Sequence, residues 1–174
     1  MKQSILLSIS GKDRAGIVRD VSEVLLHAQA NIEDSSMAVL RGRFTMMLIV
    51  ELAAGGDVTA LKASLAALEQ RTGLSVQSQV LSDDEASLIP QEPDCVITVS
   101  GADQSGIVFA VTDALANMDV SIADVSTRER SGVYMMALEV VVGEHLQGLS
   151  DKLKVVADKL GVSIEVHSLD DGVM

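Results

Sequence analysis

Residues 10–18 read SGKDRAGIV, and ninety positions later residues 100–108 read SGADQSGIV. Gly11 and Gly16 permit a sharp turn and a close backbone approach. A helix beginning just after them presents amides without intrahelical partners and the positive end of its dipole, a receptor for a carboxylate. Asp13 or Asp34 could take an ammonium group, and Asn31 offers both a donor and an acceptor. Gly11, Asp13, Arg14, Ala15, Gly16, Ile17, Asn31, Ile32 and Asp34 therefore form a first candidate site, suited to a small zwitterion. The matching positions Gly101, Asp103, Gln104, Ser105, Gly106, Ile107, Ser121, Ile122 and Asp124 form a weaker second one. Arg14 is replaced by Gln104, Ala15 by Ser105 and Asn31 by Ser121, so a single site would be the first.

Each of these residues also has a plainer role. Asp13 stands where an N-cap would satisfy the first free amides, and a capping carboxylate would partly fill the anion site. Gly16 would let the helix pack close to a sheet, and Asn31 would turn the chain into the next strand.

The turn is repeated because a larger unit is repeated. An offset of 90 aligns residues 5–52 with 95–142 without a gap, with identities from Ser10/Ser100 to Val50/Val140. After a shift of two, Leu61, Leu65 and Gly73 fall over Leu149, Leu153 and Gly161. A tandem duplication is expected, with a first domain at 1–81 and a second at 95–174. Between them, 82–94 holds five carboxylates and both prolines, a linker composition.

Each copy reads as strand, helix, strand, strand, helix, strand. SILLSIS is short and apolar and ends at glycine, as strands do. In residues 15–30, Ile17, Val18, Val21, Val24, Leu25 and Ala28 recur at helical spacing. Residues 31–40 and 43–52 flank Arg41-Gly42 and predict a hairpin. Residues 57–73 predict a second helix ending at Gly73, and 74–81 the last strand. The second copy predicts strands at 95–100, 120–130, 132–142 and 162–169, with helices over about 105–118 and 145–160. The expected class is α+β: two ferredoxin-like βαββαβ domains, each an antiparallel sheet with helices on one face. In the third strand Thr45, Met47, Ile49 and Glu51, and in the second copy Val133, Met135, Ala137, Glu139 and Val141, face away from the helices. A mostly apolar outer face predicts cover by a neighbouring domain or subunit.

Composition narrows the function. A formal charge of -12 disfavours contact with a phosphate backbone, and the 13 basic residues form no run. Aromatic content of 2% leaves no platform for stacking bases. Cys95 has no partner for an intramolecular disulfide and matches Ile5 of the first copy, so it reads as a small buried apolar residue. No phosphate-binding loop is present, and His27, His145 and His167 lack metal-ligand spacing. The N-terminus has no secretory pattern and no apolar run is long enough to span a bilayer. A soluble, cytoplasmic, non-enzymatic protein without cofactor or metal is expected.

These units, each opening strand-S-G-x-D-x-x-G-I-V-helix, resemble ACT domains. GKDRAGIV followed by ANIEDSSMAVLRGRFTMMLIVE is especially similar to the glycine cleavage system transcriptional repressor family. The resemblance implies a regulator that does not contact DNA itself. It would bind and block a DNA-binding activator protein, with glycine or a similar amino acid as modulator. It also implies that the ligand sits at an interface between two ACT domains, and that the chain forms a homo-oligomer, a dimer first of all. The alternative is a dimerisation or assembly module that regulates an enzyme without a ligand of its own.

Overall fold

The computed structural model describes residues 2–143 and 146–169. It divides into two compact units, one on each side of the Ile89–Pro90 bond. Unit 1 contains β1 (Gln3–Lys12), α1 (Ile17–His27), β2 (Ala30–Leu40), β3 (Arg43–Leu52), α2 (Val58–Thr72) and β4 (Ser75–Val80). A short helix, α3 (Asp83–Ala86), follows, held by a capping box between Ser82 and Glu85. Unit 2 contains β5 (Cys95–Ala102), α4 (Ile107–Ala116), β6 (Ser121–Arg130), β7 (Val133–Val141), α5 (Leu146–Leu160) and β8 (Ser163–Ser168). Residue 145, where the sequence starts the last helix, and residues 170–174 lie outside the described part.

Each unit is a four-stranded antiparallel sheet, in the orders β2-β3-β1-β4 and β6-β7-β5-β8. This is the expected ferredoxin-like arrangement. The alternation of β1 explains the sidedness: Ile5, Leu7 and Ile9 are buried, while the residues between them are not. They meet Leu48 and Val50 of β3, Val21 and Leu25 of α1, and Leu61, Leu65 and Leu68 of α2. In unit 2, Ile97 and Val99 pack with Leu138, Val140, Val111, Leu115, Leu149 and Leu153. Each fully buried aliphatic side chain contributes roughly 1.5–3 kcal/mol.

The hairpin turns are tight. Arg41 and Gly42 have φ of 48° and 76°, and Ser131 and Gly132 have 55° and 79°. Positive φ at both central residues matches the twist of the flanking strands. The stretch expected to be helical over 15–30 spans only Ile17–His27, because Gln29 at φ 52° reverses the chain.

The outer sheet face differs from the expectation. β3 contributes Met47 and Ile49 there, but its partners in register are Ser8 and Leu6 of β1 and Ser36 and Asp34 of β2. β4 adds Gln77 and Gln79. The face is therefore mixed rather than mostly apolar, with one shallow depression of about 220 Å³ around Leu6, Asp34, Ser36, Met47 and Ile49.

Candidate ligand site

The first loop is built as a corner before it is anything else. Gly11 lies opposite Phe44 in the β1–β3 pair. A Cβ there would sit 2.6 Å from Leu74 Cδ2, so the chain entering β4 crosses directly over it. The Asp13 amide donates to the Gly42 carbonyl at 2.9 Å, tying the loop to the β2–β3 turn. Gly16 then adopts φ 87°, ψ 3°, and is itself the N-cap of α1. This corrects the expectation for Asp13. No side chain caps α1, and the exposed Asp13 carboxylate leaves the first-turn amides open.

The loop also organises charge. Arg14 donates from Nη2 to Asp20 Oδ2 at 2.7 Å and from Nη1 to the Ala15 carbonyl at 3.1 Å. Arg19 grips Asp20 Oδ1 through Nε at 3.1 Å and Nη2 at 2.7 Å. Asp20 is 3% exposed and is the buried charged residue of the core. The Arg14 guanidinium, and then that of Arg19, hold its carboxyl down to about 2. Two cations on one anion leave a surplus positive charge at the helix start, and parts of both guanidinium forks remain exposed. Asp20 was not among the expected site residues. Its position was nevertheless visible, as a carboxylate on the apolar stripe three residues after Ile17 and one before Val21.

Asn31, Ile32 and Asp34 are not brought to this loop. Asn31 pairs with Glu51, Ile32 with Val50 and Asp34 with Ile49, across a bulge at Glu33. Gly11 is opposite Phe44, seven residues away from Glu51 along β3, or about 23 Å of strand. The two halves of the expected constellation thus lie at opposite ends of one sheet. Asp34 Oδ1 accepts from the Ser35 amide at 2.7 Å.

Unit 2 repeats the corner without the charge. Gly101 faces Val162, whose Cγ1, Cβ and Cα would lie 2.7, 3.1 and 3.2 Å from an added Cβ. Gly106 is the N-cap of α4 at φ 96°. Gln104, in the place of Arg14, donates instead to the Leu160 carbonyl at 2.6 Å. Phe109 and Ala110 replace Arg19 and Asp20. Asp103 and Ser105 are exposed beside Gly106 and Ile107. The Tyr134 hydroxyl is pushed up by burial first and by the Asp103 charge second. Ser121, Ile122 and Asp124 again lie at the far end, opposite Val141, Val140 and Glu139.

Other chemistry is sparse among the described residues. No group of three His, Cys, Asp or Glu side chains is placed to hold a metal. Burial pushes the Cys95 thiol up, which suits a core residue. No described helix is long and apolar enough to cross a membrane.

Comparison with known proteins then decides the family. The ACT-domain model matches twice, over residues 3–79 and 94–167. The chain belongs to the ACT-domain family. Its ACT units resemble small single-unit relatives. A UPF0237 protein of Methanopyrus kandleri is 39% identical over 72 residues, covering 41% of this chain and 80% of the relative. One from Methanocaldococcus jannaschii is 34% identical over 73 residues, covering 41% and 81%. The tandem arrangement also has structural counterparts. A protein of unknown function from Galdieria sulphuraria superposes with a TM-score of 0.81 at 30% identity, over 97% of this chain and 99% of that one. A protein provisionally assigned as a glycine cleavage system transcriptional repressor superposes with a TM-score of 0.73 at 20% identity, over 96% and 97%. That second likeness is one of fold. ACT domains are regulatory modules, and this chain is a tandem ACT regulatory protein.

Proposed function

We propose that this tandem ACT protein is a non-enzymatic, cytoplasmic regulator that senses a small amino acid, glycine first of all. It represses glycine cleavage gene expression by binding a DNA-binding activator protein. The observation that carries the reading is the asymmetry of the two loops. The first loop joins open helix amides to a surplus guanidinium charge, while the second has lost Arg14, Arg19 and Asp20 to Gln104, Phe109 and Ala110. Such a loop suits one carboxylate per chain. The fold shared with the provisionally assigned glycine cleavage repressor agrees with this reading, as does the acidic balance of -12, which favours action through protein rather than DNA.

Within one unit, about 23 Å of strand separates the loop from Asn31 and about 17 Å from Asp34, more than a free amino acid spans. The ligand therefore bridges two ACT units, one giving the loop amides for the carboxylate and the other giving Asn31 or Asp34 for the ammonium. A thermal-shift panel of free amino acids at millimolar concentration tests the sensor. Stabilisation by glycine or a close analogue is expected, and no response to any amino acid would sink it. Calorimetry on Asn31→Ala tests the site, since unchanged affinity would remove Asn31 from it. A gel shift on the target promoter, with and without the activator, tests the route; a shift by this protein alone would overturn it.

A second reading has its own support. Gly11 and Gly101 are both required by the approach of Leu74 and Val162, with no ligand involved. A ligand-free assembly module that regulates an enzyme would keep the same glycines.

A further inference from the structure

Two guanidiniums meet beside the glycine that starts α1. A Cβ added at Gly16 would lie 3.5 Å from Arg19 Nη2, 3.6 Å from Arg19 Cζ and 3.7 Å from Arg14 Nη1. Like charges this close repel, so a third group must hold them together. Asp20 does so by dividing its oxygens between them. Arg14 takes Oδ2 and Arg19 takes Oδ1, each at 2.7 Å. The carboxylate lies buried beneath the pair, while the Arg14 side chain is 40% exposed and the Arg19 side chain 79%.

The pair keeps donors for another acceptor. A guanidinium carries five N–H groups in a fixed fork. Arg14 uses one on Asp20 and one on the Ala15 carbonyl, and Arg19 uses two on Asp20. The others stand beside first-turn amides that no side chain caps. Glu23, the next carboxylate along α1, acts on Arg19 through space only. Arg14 and Arg19 against Asp20 leave one positive charge. The bond from the Asp13 amide to the Gly42 carbonyl brings the β2–β3 turn to the same end. Lys12, Arg41 and Arg43 therefore lie there too, exposed, with Asp13 among them. In a chain of net charge -12, this is a basic end.

Unit 2 builds the same corner without the cluster. Nothing lies within 4 Å of a Cβ added at Gly106. Gln104 turns to the Leu160 carbonyl, Phe109 is 73% exposed, and Ala110 puts no carboxylate beneath them. The helix and the core of unit 2 form all the same. The corner and its helix thus do not require the three charged residues of unit 1.

We propose that Arg14 and Arg19 form a clamp for one carboxylate of a small ligand over Gly16, and that Asp20 is the positioning residue that keeps the two forks aligned. The clamp deepens the sensor reading and rests on it for the identity of the ligand. Planar forks match the two oxygens of a carboxylate. One surplus charge matches a single carboxylate, and a phosphate dianion would exceed it. Asp20 lies below the forks and acts through them, without touching the ligand.

Nuclear magnetic resonance on the full chain tests this, with acetate as a probe that carries the carboxylate alone. The side-chain Nε–H signals of Arg14 and Arg19 and the amides of residues 16–19 are followed at constant ionic strength. A saturable shift at both arginines is expected. Glycine should reproduce it, and glycinamide, which lacks the carboxylate, should not. Asp20→Asn decides the positioning role. Charge alone predicts tighter binding once an anion beside two cations is neutralised, whereas loss of alignment predicts acetate at least about tenfold weaker. A merely structural Asp20 would lower thermal stability and leave the acetate affinity of the folded chain undiminished. The triple variant Arg14→Gln, Arg19→Phe, Asp20→Ala copies residues with which unit 2 folds, and it decides the matter if Asp20→Asn does not fold. Its amides at 16–19 should lose the acetate response.

Four results would each overturn the inference: no saturable acetate shift at Arg14 and Arg19, an equal shift with glycinamide, undiminished acetate binding by folded Asp20→Asn or by the triple variant, or inorganic phosphate bound more tightly than acetate. Acetate bound at the arginines with no response to glycine or any other free amino acid would sink the sensor reading and leave the clamp standing.

Discussion

Asp20 shows how one residue separates two otherwise equivalent units. Its carboxyl is buried, receives Arg14 and Arg19 together, and ionises at about 2. A carboxyl whose folded value lies below its unfolded value of roughly 3.9 contributes stability that is fully present above that value. The contribution is lost as the pH falls toward 2. Thermal melts between neutral pH and pH 2 should therefore show a steeper acid loss for the natural chain than for Asp20→Asn, with the curves converging at the acid end. Asp94 adds a second acid-sensitive contact, since the Val142 and Gly143 amides at 2.8 and 2.7 Å hold its carboxyl below the usual range. The paired glycines make another prediction at this scale. Gly101→Ala drives a methyl against the Cβ and Cα of Val162, whereas Gly11→Ala meets mainly the flexible end of Leu74. Both should destabilise, by roughly 1–3 kcal/mol, with Gly101→Ala the worse in urea unfolding.

At the scale of elements, the repeat was legible because period and punctuation agree. The hairpin over 31–52 was readable from Arg41-Gly42 between the runs 31–40 and 43–52, and β3 is found at the expected residues 43–52. Asp13, four residues before the first helical residue, resembles an N-cap in sequence but does not cap α1. The left-handed Gly16 satisfies the geometry instead, and Asp13 is left with its amide on Gly42. α2 offers the contrast, because Asp57 Oδ1 does accept from the Thr59 and Ala60 amides at 2.8 and 3.0 Å. Asp57→Ala should cost about 1 kcal/mol in denaturant unfolding, while Asp13→Ala should change stability little.

For the whole molecule, the two units have separate cores, one centred on Leu7, Leu48 and Leu65 and the other on Ile97, Leu138 and Leu153. Leu7→Ala should cost about 2–5 kcal/mol and lower hydrogen-exchange protection over residues 3–80, with residues 95–168 little changed. Ile97→Ala should do the reverse. Protection lost in both units from either substitution would show that they unfold as one. The proposed regulator uses this division, with one unit holding the charged loop and its copy giving a scaffold of similar shape and different surface.

The sequence by itself determined the duplication, the order of the elements, the glycine corners and the absence of nucleotide or metal chemistry patterns, because these depend on spacing along the chain. It could not reveal distance across the sheet. Asp13 and Asn31 are 18 positions apart in the chain, yet α1 carries the backbone to the other end of the strands. Arg14 and Arg43 are farther apart in sequence, yet antiparallel pairing returns them to the same end. Tertiary structure alone separated the expected ligand residues and gathered scattered cations into one basic end. A helix moves the chain along the sheet and a hairpin brings it back, so neighbourhood in space is set by topology rather than by sequence separation.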